Sequence, residues 1–223
     1  MIQAFDLTSS SRTQAAVAYE RIEEMIITLE LAPGTRISEA TMSEHLGIGR
    51  TPVREAMQLL AREGYLRILP RAGAIVSDID VTDQFKLIEL RRQLERYLTV
   101  RAAQLADDAA KMAFIDLAHR FEAAVEENEG SIFMDADREF NALIVNTADN
   151  KYATAAMGPI QAQTRRFWYL NFNKFGELDK VSPTHAKIAA AVARNDETGA
   201  AEAFDELMDY VEDYTRRTVR ALF

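Results

Sequence analysis

The stretch Leu46-Gly47-Ile48-Gly49-Arg50-Thr51-Pro52-Val53-Arg54-Glu55-Ala56 decides how this chain is read. Gly47 can close a short helix, because glycine takes the left-handed conformation that ends a helix without steric cost. Thr51 then offers an N-cap with Pro52 at the first helical position. Val53, Met57 and Leu60 recur at the spacing of one buried helix face, up to a stop at Gly64. Upstream, Ser38 is placed to cap the short helix that Gly47 ends. A short helix, a tight glycine-containing turn and a proline-started helix make a helix-turn-helix.

Working outward, Ala15, Ala18, Ile22, Met25, Ile26 and Leu29 predict a first helix stopped by Pro33-Gly34. After Gly64 the period shortens. Leu66-Arg67-Ile68-Leu69 and Ala74-Ile75-Val76-Ser77, around Pro70-Arg71-Ala72-Gly73, predict a β-hairpin wing. Residues 1–12 are polar, serine-rich and without period, and read as a flexible arm. Residues 13–78 read as a winged helix-turn-helix of three helices plus a hairpin. Residues 79–223 read as a second domain, an all-α helical bundle, so the fold class is mainly α. Six helices are expected there, broken near Ala106-Asp107, Glu129-Gly130, Asp149-Asn150, residues 173–179 and Asn195. Pro159 should kink or restart the fourth of these, and Ser182-Pro183 should cap and open the fifth.

Bulk composition removes several function classes. With no cysteine, disulfides, zinc-thiolate sites and thiol nucleophiles are excluded. No apolar run approaches the roughly 18 residues of a spanning helix, and Met1 to Ser11 has neither the basic start nor the apolar middle of a signal peptide. The expected setting is therefore cytoplasmic, without a membrane. A net charge of -9 argues against nucleic acid at first sight. Its distribution answers the objection. Residues 1–78 carry 8 Lys and Arg against 10 Asp and Glu, whereas residues 79–223 carry 18 against 25. Between Arg50 and Arg71 five arginines face only Glu55 and Glu63, which leaves room for a locally basic surface.

Leu31-Ala32-Pro33-Gly34, the stretch from Leu46 to Ala56, Glu63-Gly64-Tyr65 and Arg71-Ala72-Gly73 together resemble the winged-helix signature of the GntR family of transcription regulators. One departure is Gly49, where the family usually has Ser or Thr. The resemblance implies binding to double-stranded operator DNA through Arg50, Thr51, Arg54 and the wing tip at Arg71 and Gly73. Physical chemistry agrees, since Arg50 and Arg54 lie near a helix N-terminus, whose free N–H groups and positive dipole suit phosphate. Arg also matches guanine O6 and N7 with two hydrogen bonds. Two alternatives stay open: Arg54 paired with an acidic neighbour, and Thr51 serving only as a cap. One recognition helix covers only a half-site, so a homodimer reading a palindrome is expected, most simply as a repressor.

The second domain resembles the FCD effector domain of the FadR branch, in its shorter VanR-like form. Glu89-Leu90-Arg91 with Glu95, Ala102-Ala103, Asp137-Arg138-Glu139-Phe140-Asn141, Asn150, His185, Asn195-Asp196 and Ala200 carry that likeness. The family commonly holds a divalent metal with an Asp, a His one helical turn later and two further His. Here Asn141 stands at the second position, and Leu207 falls where the fourth ligand would be. Asn coordinates weakly through its carbonyl and Leu not at all, so no firmly held metal is expected, and Asp137 and His185 are left as weak candidates. No cofactor is implied. Instead Arg91, Asp137, Asn141 and His185 read as the site of a small anionic organic effector, with Arg91, Arg165 or Arg166 as countercharge. The run Arg165-Arg166-Phe167-Trp168-Tyr169 fits either a cavity wall or core packing, and His45 and His119 read as surface or packing residues. Two other readings compete: a DNA-binding protein whose helical domain is filled and ligand-free, and a helical-bundle enzyme. The enzyme lacks a nucleophile motif and a phosphate-cradling glycine loop.

Overall fold

The computed structural model describes residues 13–80, 83–175 and 177–222. The expected arm at 1–12 lies outside the described residues. The chain divides after Ile79 into two compact units.

In the first unit, α1 (Gln14–Ile27) is capped by Thr13, whose side chain accepts from the Ala16 N–H. It ends six residues before the predicted stop at Pro33. Leu29 adopts a positive φ of 64°, and this turn lets the Leu31 N–H reach back to the Met25 carbonyl while Leu31 is buried. Ser38 caps α2 (Glu39–Leu46) in a reciprocal box with Thr41, and Gly47 closes it in the left-handed conformation. The recognition-helix candidate α3 (Arg50–Arg62) starts earlier than expected. Gly49 is its N-cap, and Thr51 and Pro52 stand at its second and third positions. The expectation that Thr51 caps this helix is therefore corrected. Proline fits there because first-turn N–H groups have no intrahelical partner to lose. Val53, Ala56, Met57 and Leu60 bury the inner face of α3 against α1.

The wing has one strand more than the sequence predicted. β1 (Arg36–Ile37) pairs with β3 (Gly73–Val76), which pairs with β2 (Leu66–Leu69), giving an antiparallel sheet of order β1-β3-β2. Two residues carry too little periodicity to declare a strand. Gly73 makes this pairing possible: its φ is +85°, and a Cβ there would lie 2.3 Å from the Ile37 carbonyl oxygen.

The second unit is a bundle of α4 (Asp83–Leu105), α5 (Asp108–Glu126), α6 (Gly130–Thr147), α7 (Lys151–Phe175), α8 (Leu178–Ala193) and α9 (Glu197–Leu222). These six helices break at the predicted places. At one break Asn195 takes a positive φ of 54° and its amide donates to the Ala103 carbonyl at 2.7 Å, tying the α8–α9 turn to the end of α4. Neither proline opens a helix. α7 runs through Pro159 without restarting. α8 begins at Leu178, so Pro183 lies inside it and Ser182 is no cap. Ser182 is fully buried and donates to the Phe121 carbonyl at 2.7 Å, so its hydroxyl serves packing of α8 on α5. Among the described residues no helix is long and apolar enough to cross a membrane.

Candidate functional site

Two groups of side chains carry chemistry, one in each unit. In the first, α3 presents Arg50, Thr51 and Arg54 to solvent at its N-terminal end, and Arg71 is exposed at the wing tip with a φ of 62°. Gly49 leaves the helix start without a side-chain cap, so its free N–H groups are available to an anion. Arg54 is not idle. Its Nε and Nη2 donate to the two carboxylate oxygens of Glu39, each at 2.8 Å. The Arg54 hydrogen bond and the charges of Arg54 and Arg50 hold the Glu39 carboxyl below the usual carboxylate range. The acidic-neighbour alternative thus describes the DNA-free protein. It came from a residue of another helix that the sequence reading never singled out. Gly73 is explained by the close approach of β1 and β3, and its role at the wing is conformational.

In the second unit, Arg91, Asp137, Asn141 and His185 come together. They line one cavity of about 30 Å³ with Glu95, Thr99, Gln161, Leu207 and several apolar side chains. α6 carries Asp137 and Asn141 one turn apart, and the Asn141 amide donates to both the carboxylate (3.0 Å) and the carbonyl (2.8 Å) of Asp137. α8 contributes His185, whose Nε2 lies 3.2 Å from the same carboxylate and whose Nδ1 is 2.8 Å from the Val181 carbonyl. The imidazole thus ties the α6 carboxylate at one nitrogen to the α8 backbone at the other. The ring is boxed by Phe121, Phe133 and Phe140. Burial pushes the Asp137 carboxyl up, but the bonded His185 and the charges of Arg165 and Arg91 outweigh it and hold it below its ordinary value. Arg91 is paired within its own helix to Glu95, at 2.7 and 3.1 Å.

These residues do not fit a tetrahedral metal. The Asp137 carboxylate faces the His185 ring and the Asn141 amide, Leu207 offers no donor, and among the described residues no three His, Cys, Asp or Glu side chains are placed to hold a metal ion together. Of the aromatic run on α7, Phe167 and Trp168 are core and Tyr169 is exposed. Trp168 stacks on Tyr214 of α9 with ring centroids 4.4 Å apart, and Phe167 packs edge-on to the same ring. Arg166 is fully buried. His45 is exposed, 3.8 Å from Glu30, and His119 is exposed on α5. Glu95 was legible beforehand as the residue one turn after Arg91. Thr99 and Gln161 carried no signal.

The sequence matches the family model of the FCD domain over residues 86–210, more than half of the chain. It matches that of the bacterial regulatory proteins of the gntR family over residues 14–76. This chain is a GntR-family regulator with an FCD domain. It is 24% identical over 199 residues to the HTH-type transcriptional repressor RspR of Escherichia coli K12, covering 89% of this chain and 87% of that protein. It is 23% identical over 214 residues to the gluconate operon transcriptional repressor of Bacillus subtilis 168, covering 92% and 87%. Among solved structures, E. coli McbR/YncC superposes with a TM-score of 0.79 at 17% identity, covering 93% of this chain and 99% of that one. A GntR regulator from Rhodococcus sp. RHA1 gives 0.68 at 19% identity, covering 93% and 98%. The GntR regulator described here therefore acts in transcription and is not an enzyme.

Proposed function

We propose that this GntR regulator is a cytoplasmic repressor that binds a palindromic operator as a homodimer and is retuned by a small organic anion entering the polar cavity of its helical domain. Residues 13–78 would hold the DNA-reading surface, with Arg50, Thr51, Arg54 and Arg71 at the duplex, and residues 79–223 would hold the effector and dimerisation functions. Repression is what the E. coli and B. subtilis relatives are named for. The effector reading rests on one observation: Arg91, Glu95, Asp137, Asn141 and His185 are gathered around one small cavity inside the bundle. Burying five such groups is costly unless they do something. An incoming carboxylate would compete with Glu95 for Arg91 and accept from His185 and Asn141.

The size of the cavity favours a second reading. At about 30 Å³ it holds little more than one water, an order of magnitude below ordinary ligand sites of roughly 300 Å³ and more. In that reading the helical domain is filled and ligand-free. Thermal melting of the full chain with small mono- and dicarboxylates and sugar acids separates the two. Stabilisation by at least one of them, lost in the charge-removing double variant Arg91→Gln/Glu95→Gln and in His185→Gln, supports the sensor. Uniform indifference supports the filled domain. Arg91→Ala alone is a poor probe, because it strands Glu95 in the interior at a cost of about 3 kcal/mol.

A further inference from the structure

Glu39 is the first residue of α2, inside the Ser38–Thr41 capping box, so its backbone is fixed by the helix start. Arg54 is the fifth residue of α3 and lies on the exposed face of that helix. The two carboxylate oxygens take the Nε and Nη2 donors of Arg54, both at 2.8 Å, in the side-on fork that a guanidinium and a carboxylate share. A guanidinium has five N–H groups, and Glu39 occupies one on Nε and one on Nη2. The rest lie at the far end of the group, on Nη1 and the outer side of Nη2. That free edge is itself a two-donor fork, the kind that matches guanine O6 and N7.

We infer that Glu39 is a specificity-determining positioning residue of the DNA-reading surface: it holds Arg54 by its side edge so that the adjacent end-on edge reads a guanine. The inference rests on α3 being the helix that enters the major groove. An exposed arginine otherwise samples many rotamers and contacts phosphate as readily as a base. Clamped by a carboxylate anchored on a second helix, it offers one direction only. The same carboxylate repels phosphate, so it weakens binding to arbitrary duplex while sharpening the choice of sequence. This is how the structure reconciles an acidic side chain with a DNA surface.

The test is enrichment from a random-sequence duplex pool with the full-length protein and with Glu39→Ala, Glu39→Gln, Arg54→Ala and the double variant Glu39→Ala/Arg54→Ala. Titration of the enriched duplex, its single base-pair variants and a scrambled duplex follows. Wild type is expected to prefer guanine at one position per half-site by about ten-fold or more. Arg54→Ala loses that preference. Glu39→Ala loses it at the same position and no other, while its affinity for the scrambled duplex rises. Glu39→Gln, which keeps one acceptor oxygen, loses less, and the double variant matches Arg54→Ala. Should Glu39→Ala melt early, Glu39→Gln decides, because it preserves the side chain's shape. Glu39 variants that retain the full guanine preference while Arg54→Ala loses it overturn the inference alone, as does an even loss of preference across all positions. A wild-type protein that enriches no sequence overturns the recognition-helix reading with it.

Discussion

At Gly73 a side chain has nowhere to go: φ is +85° and a Cβ would press on the Ile37 carbonyl at 2.3 Å. Gly73→Ala is therefore expected to lower stability by about 2 kcal/mol or more through backbone strain, read as a drop in thermal midpoint of the full chain. Loss of DNA binding in that variant would report the wing's shape and not a missing contact. Asp137 makes a second prediction. Its folded-state pKa lies below the ordinary 3.8, so its contribution is complete above about pH 5 and is lost as pH falls through the folded value. Asp137→Asn should be less stable than wild type by about 2 kcal/mol at neutral pH, with the gap closing below pH 4. Denaturant midpoints across pH 3 to 7 measure it, and a gap that widens on acidification would refute the ion-pair account. At this scale the sequence showed the cationic half of each pair more readily than the partner. Arg91 and Glu95 are one turn apart, and spacing reveals them. Glu39 is fifteen residues from Arg54, and only the angle between α2 and α3 brings them together.

Helix existence was easier to read than helix origin. Four of the five breaks in the second unit were marked by residues that cap, turn or take positive φ: Asp107, Asn128, Asp149 and Asn195. Pro183 misled in α8, because tertiary packing overrides a single missing N–H. In α8 the start comes from Glu177, whose N–H donates to the Tyr210 hydroxyl of α9, an interaction no local pattern announces. What Ser182 lacks as a cap it supplies as a rivet. Ser182→Ala removes this tie while the Phe121 carbonyl keeps its intrahelical partner, and should cost about 1 kcal/mol, visible in urea unfolding as a lower midpoint with unchanged slope. A neutral result would mean that the contact between α5 and α8 is carried by apolar packing alone.

Across the whole molecule, charge is distributed so that an acidic protein keeps arginines where α3 and the wing are exposed. If each protomer of a dimer neutralises two phosphates, log K should fall against log salt with a slope of about -4. Fluorescence anisotropy on the enriched duplex between 50 and 300 mM salt measures this, and a flat profile would contradict the phosphate contacts. Sedimentation at micromolar concentration should give twice the monomer mass, and a monomer on and off DNA would defeat the half-site argument. The near-filled cavity has a kinetic meaning as well. On the sensor reading proposed above, an effector larger than water would enter only once the side chains around Leu98, Met157 and Leu207 give way, so its arrival would be gated by that opening and not by diffusion. Apparent affinity is the intrinsic affinity scaled by the open fraction. The concentration at which such a regulator responds is then set by apolar packing that never discriminates between metabolites. Leu207→Ala, which loosens the wall and leaves every polar partner in place, should speed association and shift the response to lower effector concentration.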